Sequence, residues 1–264
     1  MKDIIAAFTF FTRLPLWRVY KIPADSFRRI VAYWPLTGLL TGALMTAVYL
    51  LAVYLNLHAI IAVLLAFVSR LLLTGALHED GLADFLDGFG GGRSREQALT
   101  IMKDSHIGSY GVLGLILYVL LWVSSVFMLM QQFKGYEFII FLTCDVWSKW
   151  CASQITNILP YTRKEEDSKI KSTYDKMSPV RFIFGVIFGV LPFAYYIILK
   201  LYKSSDFLPM IILTGAIAPI ITMLLLSLYM KRRIQGYTGD CCGATFLLCE
   251  LSYLLTLNSL WRFI

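Results

Sequence analysis

Apolar residues in this chain run in long unbroken stretches, at roughly 33–57, 58–77, 108–130, 136–158, 182–201, 207–230 and 242–261. A helix needs about 20 apolar residues to cross about 30 Å of hydrocarbon. Inside lipid, only helices and closed barrels satisfy their own backbone. The pattern therefore predicts an all-α, polytopic integral membrane helical bundle of about seven transmembrane helices, six to eight depending on where the ends fall. We read 1–264 as a single membrane-embedded domain. The first two stretches are separated by almost nothing around Asn56 and His58, which predicts a tight hairpin. Residues 1–30 form a basic arm carrying Phe8, Phe10, Phe11 and Trp17. Such an arm either lies on the membrane as an amphipathic helix or packs over a site, which its Arg13 would suit.

Composition supports the lipid reading. Only 16% of the residues are charged, against about a quarter in soluble domains, so the chain cannot cover a water-facing surface. The net charge of +7 does not imply a nucleic-acid partner, because that needs a clustered basic face. Here the basic residues fall between apolar runs and speak to topology. The N-terminal arm holds Lys2, Arg13, Arg18, Lys21, Arg28 and Arg29, and the loop 78–107 holds Arg93, Arg95 and Lys103. The loop 159–181 holds Arg163, Lys164, Lys169, Lys171, Lys176 and Arg181, and 231–241 holds Lys231, Arg232 and Arg233. On seven spans these segments share one face, and the other face keeps only Lys134, Lys200, Lys203 and Arg262. The rich face is expected to be cytoplasmic, with the N-terminus and every polar motif on it. No small-residue cleavage site follows the N-terminus, so no signal peptide is expected. Cys144, Cys151, Cys241, Cys242 and Cys249 lack paired CxxC spacing and read as reduced packing residues. Nothing in the sequence fixes an oligomeric state.

The densest chemistry is His78-Glu79-Asp80-Gly81-Leu82-Ala83-Asp84-Phe85-Leu86-Asp87-Gly88, directly after the second stretch. Asp80, Asp84 and Asp87 stand at i, i+4 and i+7, on one face of a helix. Carboxylates that close repel unless a cation sits among them. Hard oxygen ligands suit Mg²⁺ or Mn²⁺, with substrate phosphates completing the shell. The plainer reading is a solvated acidic helix face. Against it, Leu82, Ala83, Phe85 and Leu86 imply partial burial, where unpaired charge is costly. Glycines 90–92 then lead to Ser94, which with Gln97 has capping-box spacing for a helix reaching about Asp104. Arg93 and Arg95 at that start suit an anion, or form an ordinary basic loop at headgroup level. Lys103 and Asp104 enter the third stretch, and spacing alone does not make Asp104 a ligand.

Asp145 and Lys149 lie four residues apart inside the fourth stretch, where self-pairing is at least as good a reading as a site role. Arg70 either snorkels or pairs with an acid. Gly236-Tyr237-Thr238-Gly239-Asp240-Cys241-Cys242-Gly243-Ala244 opens the last stretch. Asp240 there is a helix N-cap or a further cation ligand. Gly38 and Gly42 look like span packing. No His cluster, Ser-His-Asp arrangement, P-loop or dinucleotide fingerprint occurs.

Several motifs stand in a recognisable order: Thr12-Arg13-Leu14-Pro15, the His78 to Gly88 motif, Arg93-Ser94-Arg95, Met102-Lys103-Asp104-Ser105-x-x-Gly108, and Thr238-Gly239-Asp240-x-x-Gly243-Ala244. Together they resemble the cobalamin synthase family, the adenosylcobinamide-GDP ribazoletransferases, over nearly the whole chain. The resemblance implies a Mg²⁺-dependent enzyme of the prokaryotic cytoplasmic (inner) membrane, with Mn²⁺ as the alternative metal. In it, α-ribazole or its 5′-phosphate displaces GMP from adenosylcobinamide-GDP. Carried onto this chain, it makes Asp80, Asp84, Asp87 and Asp104 the catalytic candidates, the first three as metal ligands. It makes His78, Arg13, Arg93, Arg95, Lys103, Thr238, Gly239 and Asp240 candidates for substrate binding. His106 and Lys149 depart from the family, which often has Arg at both places, and Lys lacks the planar fork of Arg. The nearer rival is a CDP-alcohol phosphotransferase, but Ala83 is followed here by Asp84 rather than Arg. A transporter built on Asp145, Lys149 and Arg70 is the rival from another class, and no internal repeat supports it.

Overall fold

A computed structural model describes residues 1–162, 174–201 and 208–260. Of the basic residues weighed above, Arg163, Lys164, Lys169, Lys171, Lys203 and Arg262 lie outside these. The described residues are almost wholly helical: α1 Lys2–Phe11, α2 Trp34–Tyr54, α3 Ala59–Thr74, α4 Leu77–Gly91, α5 Arg95–Ile101, α6 Ser109–Gln132 and α7 Glu137–Ser153. After these come α8 Ile155–Ile158, α9 Pro179–Leu201, α10 Leu208–Gly215, α11 Ile217–Ile234 and α12 Gly239–Leu260. Short 3₁₀ segments at Leu16–Arg18 and Ala24–Tyr33 join α1 to α2.

All seven predicted stretches become helices: α2, α3, α6, α7, α9, the pair α10 and α11, and α12. By length and apolarity alone, five helical segments suffice to cross a membrane, or six if α3 and α4 count as one bent span. The shortfall from seven falls on α7, which has only 17 residues and carries Asp145 and Lys149. Outward-facing Leu72, Leu113, Leu120, Ile183, Ile187 and Leu225 are more than half exposed. Without lipid around it, such a surface would have no favourable solvent.

The middle of the bundle is α2, α7 and α12. α7 meets α2 backbone to backbone, since a Cβ on Gly38 would stand 2.9 Å from Val146 Cα, and one on Gly42 3.2 Å from Leu142 Cα. These glycines serve packing, as expected. The hairpin between α2 and α3 is present: Asn56 turns with φ 59° and the His58 ring accepts from Ile60 N–H at the start of α3. All five cysteines are buried and free. Between α10 and α11, Trp147 Nε1 donates to the Ala216 carbonyl at 2.8 Å and fills the break.

The arm 1–30 packs against the rest of the bundle. Ala6, Ala7 and Phe11 of α1 are buried, and Phe11 stacks on Trp34 at 5.0 Å. Asp3 receives Arg29 Nε at 3.0 Å, with Arg181 at the start of α9 3.8 Å away. Arg28 pairs with Asp175 at 3.0 Å, and Arg13 N–H donates to Leu73 O at the end of α3. Pro160 and Thr162 exchange backbone bonds with Tyr237, and Arg233 donates to Phe89 O and Gly92 O. The described parts of the four basic segments read from the sequence thus gather at one end of the bundle.

Candidate active site

α4 is set across the bundle by its entry. Gly75 and Ala76 are both left-handed, with φ 66° and 55°, and they turn the chain by 89° between α3 and α4. Glycine takes the left-handed conformation at the first place without strain, and a Cβ there would displace the Arg13 side chain, whose Nε lies 2.2 Å away. α4 then buries Gly81, Leu82, Ala83 and Phe85 and leaves Asp80 exposed and Asp84 half-buried. Asp87 turns away from solvent. Its Oδ2 accepts from Gly108 N–H at 2.7 Å and its Oδ1 from Gly111 N–H at 2.9 Å. Both oxygens therefore hold the first turn of α6, where free N–H groups need acceptors.

Small residues bring α4 onto the start of α12. A Cβ on Gly81 would lie 3.1 Å from Asp240 O, and one on Gly243 3.1 Å from His78 O. The first turn of α12 is capped by Thr238, whose hydroxyl accepts from Cys241 N–H at 3.3 Å and lies 3.3 Å from Asp240 Oδ2. The cap expected of Asp240 is thus made by Thr238, and Asp240 is left at the rim of a cavity.

Two cavities open here and share Asp80, Leu77 and Phe10. One, of about 160 Å³, lies between α1, α2, α4 and α12 and is walled by Phe11, Trp34, His78, Tyr161 and Tyr174, with Gly239 and Asp240 at its edge. The other, of about 570 Å³ and more open, has Arg13, Thr74, Glu79 and Ile107 in its wall. The structure therefore assembles Arg13, His78, Asp80, Gly239 and Asp240, supported by Thr238. It does not bring Asp84, Asp87, Arg93, Arg95, Lys103 or Asp104 into either wall. Arg95 Nε donates to Ile234 O at 3.0 Å and closes the end of α11. Ser94 and Gln97 form the expected cap, but α5 stops at Ile101. Asp104 is exposed, and the backbone N–H of His106, then its ring, hold its carboxyl below the usual range.

The sequence of the chain matches the family model described as cobalamin-5-phosphate synthase over residues 3–258. It is 34% identical to the adenosylcobinamide-GDP ribazoletransferase of Leptospira interrogans, covering 97% of this chain and 95% of the relative. It is 34% identical to the enzyme of that name from Shewanella sp. strain W3-18-1, over 96% and 92% of the two chains. The chain belongs to the cobalamin-5-phosphate synthase family. No solved structure matches it.

In this member of the family, a buried charge network behind the acidic helix was only half visible in the sequence. Arg70 donates to Glu250 Oε1 at 2.5 Å, to Glu79 Oε1 at 3.3 Å and to Tyr118 Oη at 2.9 Å, and Tyr118 donates to Glu250 Oε2 at 2.6 Å. Arg70 and Glu250 are 180 residues apart. The available signal was two ionisable residues placed in apolar stretches. Asp145 and Lys149 form the i,i+4 pair, and Lys149 also donates to Thr41 Oγ1 at 2.8 Å.

The donor set fits a cation only in a particular way. Among the described residues no three His, Cys, Asp or Glu side chains stand close enough to hold a metal by themselves. Asp87 would have to abandon two N–H groups to join one. The accessible carboxylates Asp80 and Asp84, one turn apart, suit a hard cation that completes its shell with substrate phosphates and water.

Proposed function

We propose that this polytopic membrane protein is an adenosylcobinamide-GDP ribazoletransferase that needs Mg²⁺ and works on the cytoplasmic face of a prokaryotic inner membrane. Family membership over nearly the whole chain supports the reaction. The distribution of Lys and Arg supports the orientation. The observation that carries the reading is Asp80, an exposed carboxylate in the wall of both cavities at the crossing of α4 and α12. Two substrates have to meet, and two cavities meet there.

A hydroxyl of α-ribazole, or of its 5′-phosphate, attacks the corrinoid-proximal phosphorus of adenosylcobinamide-GDP. The new P–O bond forms as the P–O bond to GMP breaks, and GMP leaves. Such a displacement requires alignment and charge neutralisation more than a covalent nucleophile. Asp80 and Asp84 would hold Mg²⁺, with Mn²⁺ as the alternative, and when bound the ion supplies neutralisation of the diphosphate. Arg13 in the wider cavity faces the anionic substrate. An aspartate at the junction takes the hydroxyl proton, and Asp80 and Asp240 are the two in place. Asp87 acts at one remove, by fixing α6 against α4.

The test is GMP release by purified protein in detergent, given adenosylcobinamide-GDP and α-ribazole, with and without Mg²⁺. Turnover is expected only with the metal, and D84N is expected to abolish it while leaving membrane insertion normal. Metal-independent turnover, or full activity in that variant, overturns the metal role. No turnover by folded wild-type protein with metal overturns the reaction.

A further inference from the structure

The smaller cavity has a composition of its own. Its wall is rings and hydrocarbon: Phe10, Phe11, Val31, Trp34, Tyr161 and Tyr174. His78 is set into that wall, 2% exposed, with its ring parallel to Trp34 at 5.5 Å and edge-on to Phe246 at 4.9 Å. Neither ring nitrogen of His78 has a hydrogen-bond partner among the described residues. A buried imidazole with both nitrogens orphaned is costly, and such groups in native structures call for an explanation. A dry void of about 150 Å³ lined by apolar side chains admits a benzene ring, and this one measures about 160 Å³ and is partly open, so a fused ring can extend toward its rim.

Resting on the reaction proposed above, we infer that this cavity binds the planar base of the nucleoside substrate against its aromatic wall. The base of α-ribazole is a fused apolar ring system with one free ring nitrogen. Aromatic walls answer that chemistry. Guanine, with donors and acceptors along a whole edge, would leave several of them unpaired against these walls, and a corrin ring is far too large. With the base seated inward, its sugar lies at the rim, where Asp240, Gly239 and Asp80 stand. The nucleophilic hydroxyl then faces the second cavity, and the diphosphate occupies the side lined by Arg13.

Gly239 offers a clean test. A Cβ there meets no atom within 4 Å, yet the residue lines the cavity, so a larger side chain fills the cavity without disturbing the fold. The experiment measures KM for each substrate in wild type and G239L, together with calorimetric binding of α-ribazole alone. G239L is expected to raise the KM and the dissociation constant for α-ribazole about tenfold or more, and to leave the KM for adenosylcobinamide-GDP within about twofold. An unchanged α-ribazole KM in G239L, or a rise confined to the corrinoid substrate, overturns the assignment. Failure of wild type to release GMP would sink the reaction instead, and the binding arm still reads the cavity: α-ribazole bound equally by wild type and G239L overturns it.

Discussion

Replacing Arg70 with Met isolates the forces that fix the acidic helix. Arg70 is 1% exposed and ties four helices together: its own α3, α4 through Glu79, α6 through Tyr118 and α12 through Glu250. The guanidinium also lies about 5 Å from the ring centres of Phe67 and Trp122, at 5.1 and 5.3 Å. Met fills much of the space but leaves two buried carboxylates without their cation. Removing one partner of a buried pair costs about 3–5 kcal/mol, a large share of a typical total stability of about 5–15 kcal/mol. For a chain of this length, about 2–4 °C of Tm follows each kcal/mol, so a fall on the order of 10 °C is expected. The assay is thermal unfolding in detergent, followed by circular dichroism, with R70K as the control that keeps the charge but loses the fork. In the double variant R70M/E250Q the loss should fall short of the sum of the single losses by about 1 kcal/mol or more. A Tm for R70M within about 2 °C of wild type, or strict additivity in the double variant, refutes this account of α4.

Three further outcomes follow from single contacts. D87A removes the acceptor for Gly108 and Gly111 N–H and should cost about 0.5–2 kcal/mol, seen as a lower Tm, whereas D84N should leave Tm near wild type. G81A places a methyl 3.1 Å from Asp240 O and parts α4 from α12 slightly, so kcat should fall by a larger factor than stability; an unchanged kcat would refute the close crossing. Burial alone would raise the Asp3 carboxyl, but hydrogen bonds from Arg29 and Ser26 and the charges of Arg29 and Arg181 outweigh it and hold it below its ordinary value. Its contribution is therefore complete above the unfolded carboxylate pKa and is lost as pH falls through the lower folded one. D3N should loosen the arm at neutral pH, read as faster proteolysis within residues 1–30, and the difference from wild type should vanish at strongly acid pH.

By itself the sequence determined the solvent and the helical class, and set the expectation for the cytoplasmic face, because these depend on properties summed over whole stretches. Twenty apolar residues need lipid wherever they pack, and the Lys and Arg in the loops add up regardless of contacts. It also determined the helix bearing Asp80, Asp84 and Asp87, the Ser94 cap, the hairpin at Asn56 and the packing role of Gly38 and Gly42, and it offered the pairing of Asp145 with Lys149 as one of two readings, all of which are local in the chain. Tertiary structure alone decided which members of the motif line a cavity. The i, i+4, i+7 spacing put three aspartates on one face, but the start of α6 lies against the last of them and its unpaired N–H groups take Asp87. In the same way the end of α11 takes Arg95, and Thr238 takes the cap that Asp240 might equally have made. Glu250 finds Arg70 across 180 residues, and His78 sits in an aromatic wall only because Phe11 and Trp34 stack along it. Partners of that kind are chosen by which backbones approach in space, and no periodicity along the chain records them.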